Sequence, residues 1–189
     1  MPRRIPWKPI AIGSAALAAI GIAVLASRKK PALPTAQRVA LIGDSYAAGL
    51  GPELAKLIPD LHGEGHVGTN TSQWAHHTAA CGGCGDWLTT FKPDVVLVSL
   101  GVNDGATPNA ENYQTIVRGL HGLGARVVWI EPPASVNAPA VRAAIASLGV
   151  NTVPATRVPL AGDKLHPAAG SYSKWAQEVA AAISPGKDG

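Results

Sequence analysis

A chain of 189 residues fits one domain with room for an appendage. Its 47% hydrophobic and 15% charged residues exclude a disordered chain, and two cysteines are too few for a disulfide-built scaffold. The formal net charge of +4 is unevenly placed: residues 1–38 hold seven bases and no acid, and the remainder sets nine bases against twelve acids, a balance of −3. The body is mildly acidic, so the basic total gives no footprint for nucleic acid on a folded domain.

Ile10 to Ala26 is a run of apolar and small residues, broken only by Ser14 and two glycines. Its 17 residues span about 26 Å as a helix, at the short end for crossing a bilayer of roughly 30 Å. Trp7 and Lys8 precede it and Arg28, Lys29 and Lys30 follow, which suits the two interfaces of a membrane. Three readings stand: a retained single-pass anchor, a cleaved signal peptide and a buried helix. Val24, Leu25 and Ala26 offer a small-residue cleavage site, and the basic cluster after them argues for retention. Residues 1–30 are therefore expected to be an anchor or signal segment, 31–37 a Pro-containing linker, and 38–185 the folded domain. An anchored domain is expected outside the cytoplasm, or secreted if the segment is cleaved.

Beyond Arg38, short apolar runs alternate with longer helical ones. Strands are expected at Val39–Ile42, His62–Val67, Val95–Leu100, Arg126–Ile130 and Val150–Val153. Helices are expected at Tyr46–Ile58, Ala110–Leu120, Pro139–Leu148 and Ala168–Ile183. VVLVSL, bounded by Pro93 and Gly101, is the strongest strand signal. Continuous apolar strands separated by helices imply strands buried on both faces, hence an α/β fold with a parallel sheet. Chemistry in such sheets collects at the carboxyl ends of the strands.

Polar groups sit where two strands give out and in the loop that enters the last helix. Gly43-Asp44-Ser45 follows the first strand and opens the first helix, where Ser45 is either an exposed nucleophile beside helix N–H donors or only a cap. Gly101-Val102-Asn103-Asp104 follows VVLVSL. Asn103 there is either an amide donor to a developing oxyanion, with Asp104 shaping the loop, or a turn former bonded to its own backbone. Asp163-Lys164-Leu165-His166-Pro167 places a carboxylate three residues before a histidine. That spacing lets the acid fix the imidazole tautomer while the other nitrogen faces Ser45. The bland alternative is an exposed turn with Pro167 at the first helical position.

Taken in order, ALIGDSYAAGL, VSLGVNDG and DKLHPAAGSY resemble three blocks of the SGNH (GDSL-like) hydrolase family, over about residues 38–183. The resemblance implies a three-layer α/β/α sandwich with a mostly parallel sheet. It implies Ser45 as nucleophile, Asp163 and His166 as its partners, and an oxyanion hole from the Ser45 N–H, the Gly68 N–H and the Asn103 amide. Gly68 is assigned from HVGTNTSQW, which departs from the family's longer glycine pattern; a one-residue shift would move that donor to Thr69. The implied chemistry is ester hydrolysis through an acyl-enzyme, with no metal or organic cofactor.

The remaining residues carry weaker signals. Cys81-Gly82-Gly83-Cys84 lacks a second ligand pair for zinc, and a local disulfide is the leading reading over free thiols or a redox motif. His62, His66 and His121 read as surface or loop residues. Trp74 is either a core aromatic or a flat face beside the pocket, and Trp129 and Trp175 read as core. The expected function is a serine esterase acting on an O-acyl group of a cell-envelope glycan, a lipid or a small ester. Acyl transfer by the same residues and a non-catalytic, membrane-anchored binding domain are the alternatives.

Overall fold

The computed structural model describes residues 37–77 and 83–184. The expected N-terminal helix and linker, Cys81 and the last five residues lie outside them. Among the described residues no helix is long and apolar enough to cross a membrane.

The five expected strands form as β1 (Val39–Gly43), β2 (Leu61–Gly65), β3 (Val95–Ser99), β4 (Arg126–Ile130) and β5 (Asn151–Val153). All pair in parallel, in the order β2-β1-β3-β4-β5. The helices are α1 (Ser45–Leu54), α2 (Thr71–Ala75), α3 (Leu88–Phe91), α4 (Ala110–Gly122), α5 (Pro139–Ala146) and α6 (Ser171–Ile183). Val102–Asp104 makes one 3₁₀ turn.

Strand alternation decides which helix covers which face. Val39, Leu41, Val95, Leu97, Val128 and Ile130 pack with α1 and α6 through Leu50, Leu54, Trp175 and Val179. Ala40, Ile42, Val96, Val98, Val127 and Trp129 point the other way, against Trp74 of α2, Leu88 of α3, Ile116 and Leu120 of α4, and Val141 and Ile145 of α5. The central strands are buried along their length, so both faces must be covered, giving the three-layer α/β/α arrangement. Trp74, Trp129 and Trp175 are all core residues.

Several boundaries differ from expectation for local reasons. The first helix stops at Leu54 rather than Ile58, and its end tightens through Lys56 N–H to Glu53 O and Leu57 N–H to Leu54 O. Pro59 disfavours helical geometry at Ile58 and closes the element. The last helix begins at Ser171, not Ala168. Pro167 is not its first residue: it bridges Leu160 in antiparallel fashion, and the Ala168 N–H is taken by Pro159 O at 2.9 Å. The sequence reading missed α2 and α3. For α2 a signal existed: Asn70 and Gln73 form a capping box, the Asn70 side chain accepting from Gln73 N–H and Gln73 answering on Asn70 N–H.

The topology places the site. The chain leaves β1 toward β2 on one side and returns to β3 on the other, so the carboxyl ends of β1 and β3 flank the switch point of the sheet. Those ends carry Ser45 and Asn103. Gly43 makes the approach feasible: a Cβ there would lie 2.1 Å from Ser99 O. With no side chain in the way, Asp44 N–H donates to Ser99 O at 3.1 Å and couples the two strand ends.

Candidate active site

Ser45 is the first residue of α1, and the cap is its neighbour. The buried Asp44 accepts the Tyr46 N–H on Oδ1 at 2.9 Å. This overturns the capping alternative for Ser45 and leaves its hydroxyl for another partner. Ser45 Oγ lies 2.9 Å from His166 Nε2, across 121 residues of sequence. His166 Nδ1 lies 2.7 Å from Asp163 Oδ2.

The other oxygen, Asp163 Oδ1, accepts the backbone N–H groups of Leu165 and His166, each at 2.9 Å. These contacts hold the Asp163 carboxyl down at a pKa of about 2; the Leu165 N–H bond is the largest cause, then the His166 side chain and backbone. Asp163 is thus ionised at any working pH and accepts the Nδ1–H of His166. That leaves Nε2 as the acceptor facing the Ser45 hydroxyl.

Asp44 is pushed the other way. Burial raises its carboxyl to about 7, partly opposed by the Tyr46 N–H, with the charge of Asp104 adding to the rise. Its Oδ2 has no hydrogen-bond partner among the described residues.

Asn103 is not a self-contained turn. Its Nδ2 donates to Thr69 O at 2.8 Å, joining the β3 loop to the segment after β2. Asp104 reinforces the joint, accepting Thr71 N–H at 2.9 Å and Thr71 Oγ1–H at 2.7 Å. Asn103 keeps a second amide hydrogen beyond the one given to Thr69. Among the backbone donors of the β2 loop, Thr69 N–H is taken by His66 O at 3.1 Å and Asn70 N–H by Gln73 Oε1 at 2.9 Å. The Gly68 N–H has no acceptor among the described residues, so a shift of the donor to Thr69 finds no free N–H there.

Two further residues organise this region without having been singled out from sequence. Tyr46, 2% exposed, donates its hydroxyl to Leu165 O at 2.9 Å and sets its ring edge-on to His166 at 5.9 Å between centroids. Burial, then the Asp44 charge, raises its pKa well above the ordinary tyrosine value, so it stays a donor. Thr71 donates its N–H and its hydroxyl to Asp104 as described. Neither carries a motif of its own; only the capping box around Asn70 hinted at order near Thr71.

Other candidates fall away from the site. His62 is exposed on β2 and packs on Trp87, with ring centroids 4.4 Å apart. His121 is exposed on α4. Trp74 donates Nε1–H to Thr69 Oγ1 at 3.0 Å from within the core. Cys84 is buried and is not a free thiol. No cluster of His, Cys, Asp or Glu suited to a metal ion occurs among the described residues.

The fold agrees with comparisons to known proteins. No curated protein matches the chain. Among solved structures, TesA superposes with a TM-score of 0.61 at 20% identity, over 78% of this chain and 98% of that one. The acetyl xylan esterase AlAXEase gives 0.56 at 17% identity, over 77% and 99%. The C-terminal catalytic domain of Streptococcus pneumoniae peptidoglycan O-acetyltransferase A gives 0.52 at 18% identity, over 78% and 90%. At these identities the likeness is one of fold. The model of the GDSL-like lipase/acylhydrolase family matches residues 41–185, nearly the whole folded region, and the chain therefore belongs to that family of serine ester hydrolases.

Proposed function

We propose that the protein hydrolyses a carboxylic ester through Ser45, His166 and Asp163. The observation that carries this is the unbroken chain of contacts from Ser45 Oγ to His166 Nε2 and from His166 Nδ1 to Asp163. His166 Nε2 takes the hydroxyl proton as Ser45 Oγ bonds to the ester carbonyl carbon. The oxyanion that forms is met by the N–H groups of Ser45 and Gly68 and by the free amide hydrogen of Asn103. Collapse breaks the bond to the alkoxide, which leaves with the proton held on His166. Water then adds to the acyl-enzyme by the same steps in reverse roles and releases the acid.

The substrate classes we put forward are an O-acyl group on a cell-envelope glycan, a lipid and a small ester. Acyl transfer is the second reading, favoured by the fold shared with the O-acetyltransferase domain, since an acyl-enzyme passes its acyl group to any well-placed hydroxyl. We further propose that residues 10–26 hold the enzyme at a membrane with its catalytic domain outside the cytoplasm. Membrane fractionation of the full chain against a chain starting at Arg38 tests this; equal partition of both would overturn it.

A p-nitrophenyl ester assay with a fluorophosphonate probe tests the chemistry. Ser45→Ala should lose both turnover and labelling while keeping its fold. Retention of more than about a tenth of kcat would remove Ser45 from the nucleophile's role, because loss of a nucleophile costs orders of magnitude.

A further inference from the structure

The turn that carries Asn103 rests on two buried aromatic rings. Tyr113 of α4 and Trp129 of β4 are fully buried and stacked, with centroids 5.2 Å apart and planes 21° apart. Trp129 Nε1–H donates to Leu100 O at 3.2 Å and fixes the residue that follows β3. Tyr113 meets the next one. Gly101 has a φ of +118°, and a Cβ built on it would lie 2.6 Å from the Tyr113 hydroxyl oxygen and 2.8 Å from Val141 Cγ1. The phenol oxygen is thus packed against the Gly101 backbone. Gly101 O in turn accepts the Asp104 N–H at 3.0 Å, which closes the 3₁₀ turn bearing Asn103.

The Tyr113 hydroxyl has no hydrogen-bond partner among the described residues. Burial and then Asp104 raise its pKa far above the ordinary tyrosine value, but the Asp104 oxygens accept from Thr71. The phenol therefore keeps its proton and is buried without an acceptor. A buried polar group in that state costs stability, and an apolar group of the same shape avoids the cost. Phenylalanine has that shape, so the hydroxyl adds nothing to the fold that the ring alone would not supply.

We infer that Tyr113 is a positioning residue: its hydroxyl oxygen is a spacer that holds the Gly101–Asp104 turn at the height where the Asn103 amide meets the oxyanion. The inference rests on the ester-hydrolase reading above, with Asn103 as a donor, and adds a residue that touches neither substrate nor reacting atoms. Without the oxygen, a gap about one atom wide opens behind Gly101. Gly101 has no side chain to fill it, so the turn can settle into it and draw Asn103 back. Removing an oxyanion donor outright costs roughly 10²–10³ in kcat, so a partial withdrawal should cost about tenfold.

Tyr113→Phe separates this role from a structural one. A spacer predicts that kcat on a p-nitrophenyl ester falls about tenfold with KM unchanged, while the melting temperature stays level or rises. Asn103→Ala supplies a second measurement. With the donor gone, Tyr113→Phe should cost nothing further, so the two losses should not add. A folded Tyr113→Phe protein with kcat within about twofold of wild type would overturn the inference, as would a loss that recurs in full in the Asn103→Ala background. A melting temperature lowered by several degrees would make the hydroxyl a bonded part of the fold and overturn the spacer. If Asn103→Ala does not fold, the opposed movements of kcat and melting temperature in Tyr113→Phe decide alone. Wild-type protein that hydrolyses no ester and takes no fluorophosphonate at Ser45 would instead overturn the esterase reading itself.

Discussion

Tyr46→Phe isolates one hydrogen bond between the helix that carries Ser45 and the loop that carries His166. The ring is 2% exposed and packs edge-on against both His166 and Trp175, with centroids 5.9 and 5.5 Å away. Phenylalanine keeps that packing. What is lost is the hydroxyl donated to Leu165 O at 2.9 Å. An intramolecular hydrogen bond of this kind is worth about 0.5–1.5 kcal/mol net, so the stability cost should be about 1 kcal/mol. The kinetic cost follows from position. Leu165 is adjacent to His166, so releasing its carbonyl loosens the imidazole relative to Ser45, and a misplacement of about 1 Å can cost on the order of a hundredfold. Asp163 still holds the backbone N–H groups of Leu165 and His166, which limits the movement. The expected outcome is a fall of about tenfold in kcat with little change in KM. Steady-state kinetics on a p-nitrophenyl ester, with urea unfolding for stability, measures both. If stability drops by about 1 kcal/mol while kcat stays within twofold, the bond braces the fold and does not position His166.

Three other perturbations test separate links. Asn103→Asp keeps size but replaces the amide with a carboxylate facing Thr69 O; if Asn103 donates to the oxyanion as proposed, kcat should fall by more than the roughly 10²–10³ lost with one donor, with circular dichroism confirming the fold. Asp44 is raised to about 7 from an ordinary value of 3.8, so its unfolded form sheds the proton first as pH rises. Stability should therefore decline from about pH 4 to pH 7 and level off above, by a few kcal/mol at about 1.4 kcal/mol per unit. Thermal melts across that window should lose this slope in Asp44→Asn, and an unchanged slope would assign it to another group. Gly43→Ala places a methyl 2.1 Å from Ser99 O, so the strand ends must part; a loss of more than about 3 kcal/mol, or no soluble folded protein, is expected by chemical denaturation.

The sequence by itself determined the layers of this protein. Apolar runs placed the central strands β1, β3 and β4 of the parallel sheet, because burial on both faces leaves no room for polar residues in β1, β3 and most of β4, whereas β2 and β5 at the sheet edges are partly exposed and carry polar residues. The order of the motifs, with Ser45 and Asn103 close after strand ends and the Asp163–His166 pair in the loop before the last helix, also stood in the sequence. Element ends were less legible, since proline and backbone hydrogen bonding at Ile58 and Pro167 act against the hydrophobic pattern. The short helices α2 and α3 fell below the length at which periodicity shows. Only the tertiary structure decided which groups meet. Ser45 and His166 are 121 residues apart, Asn103 and Thr69 are 34, and Tyr46 and Leu165 are 119. Those pairings depend on the strand order, which brings the ends of β1 and β3 together at the switch point. The capping role passed to Asp44 for the same reason: local propensity allows either residue, and the partner across the fold claims the Ser45 hydroxyl.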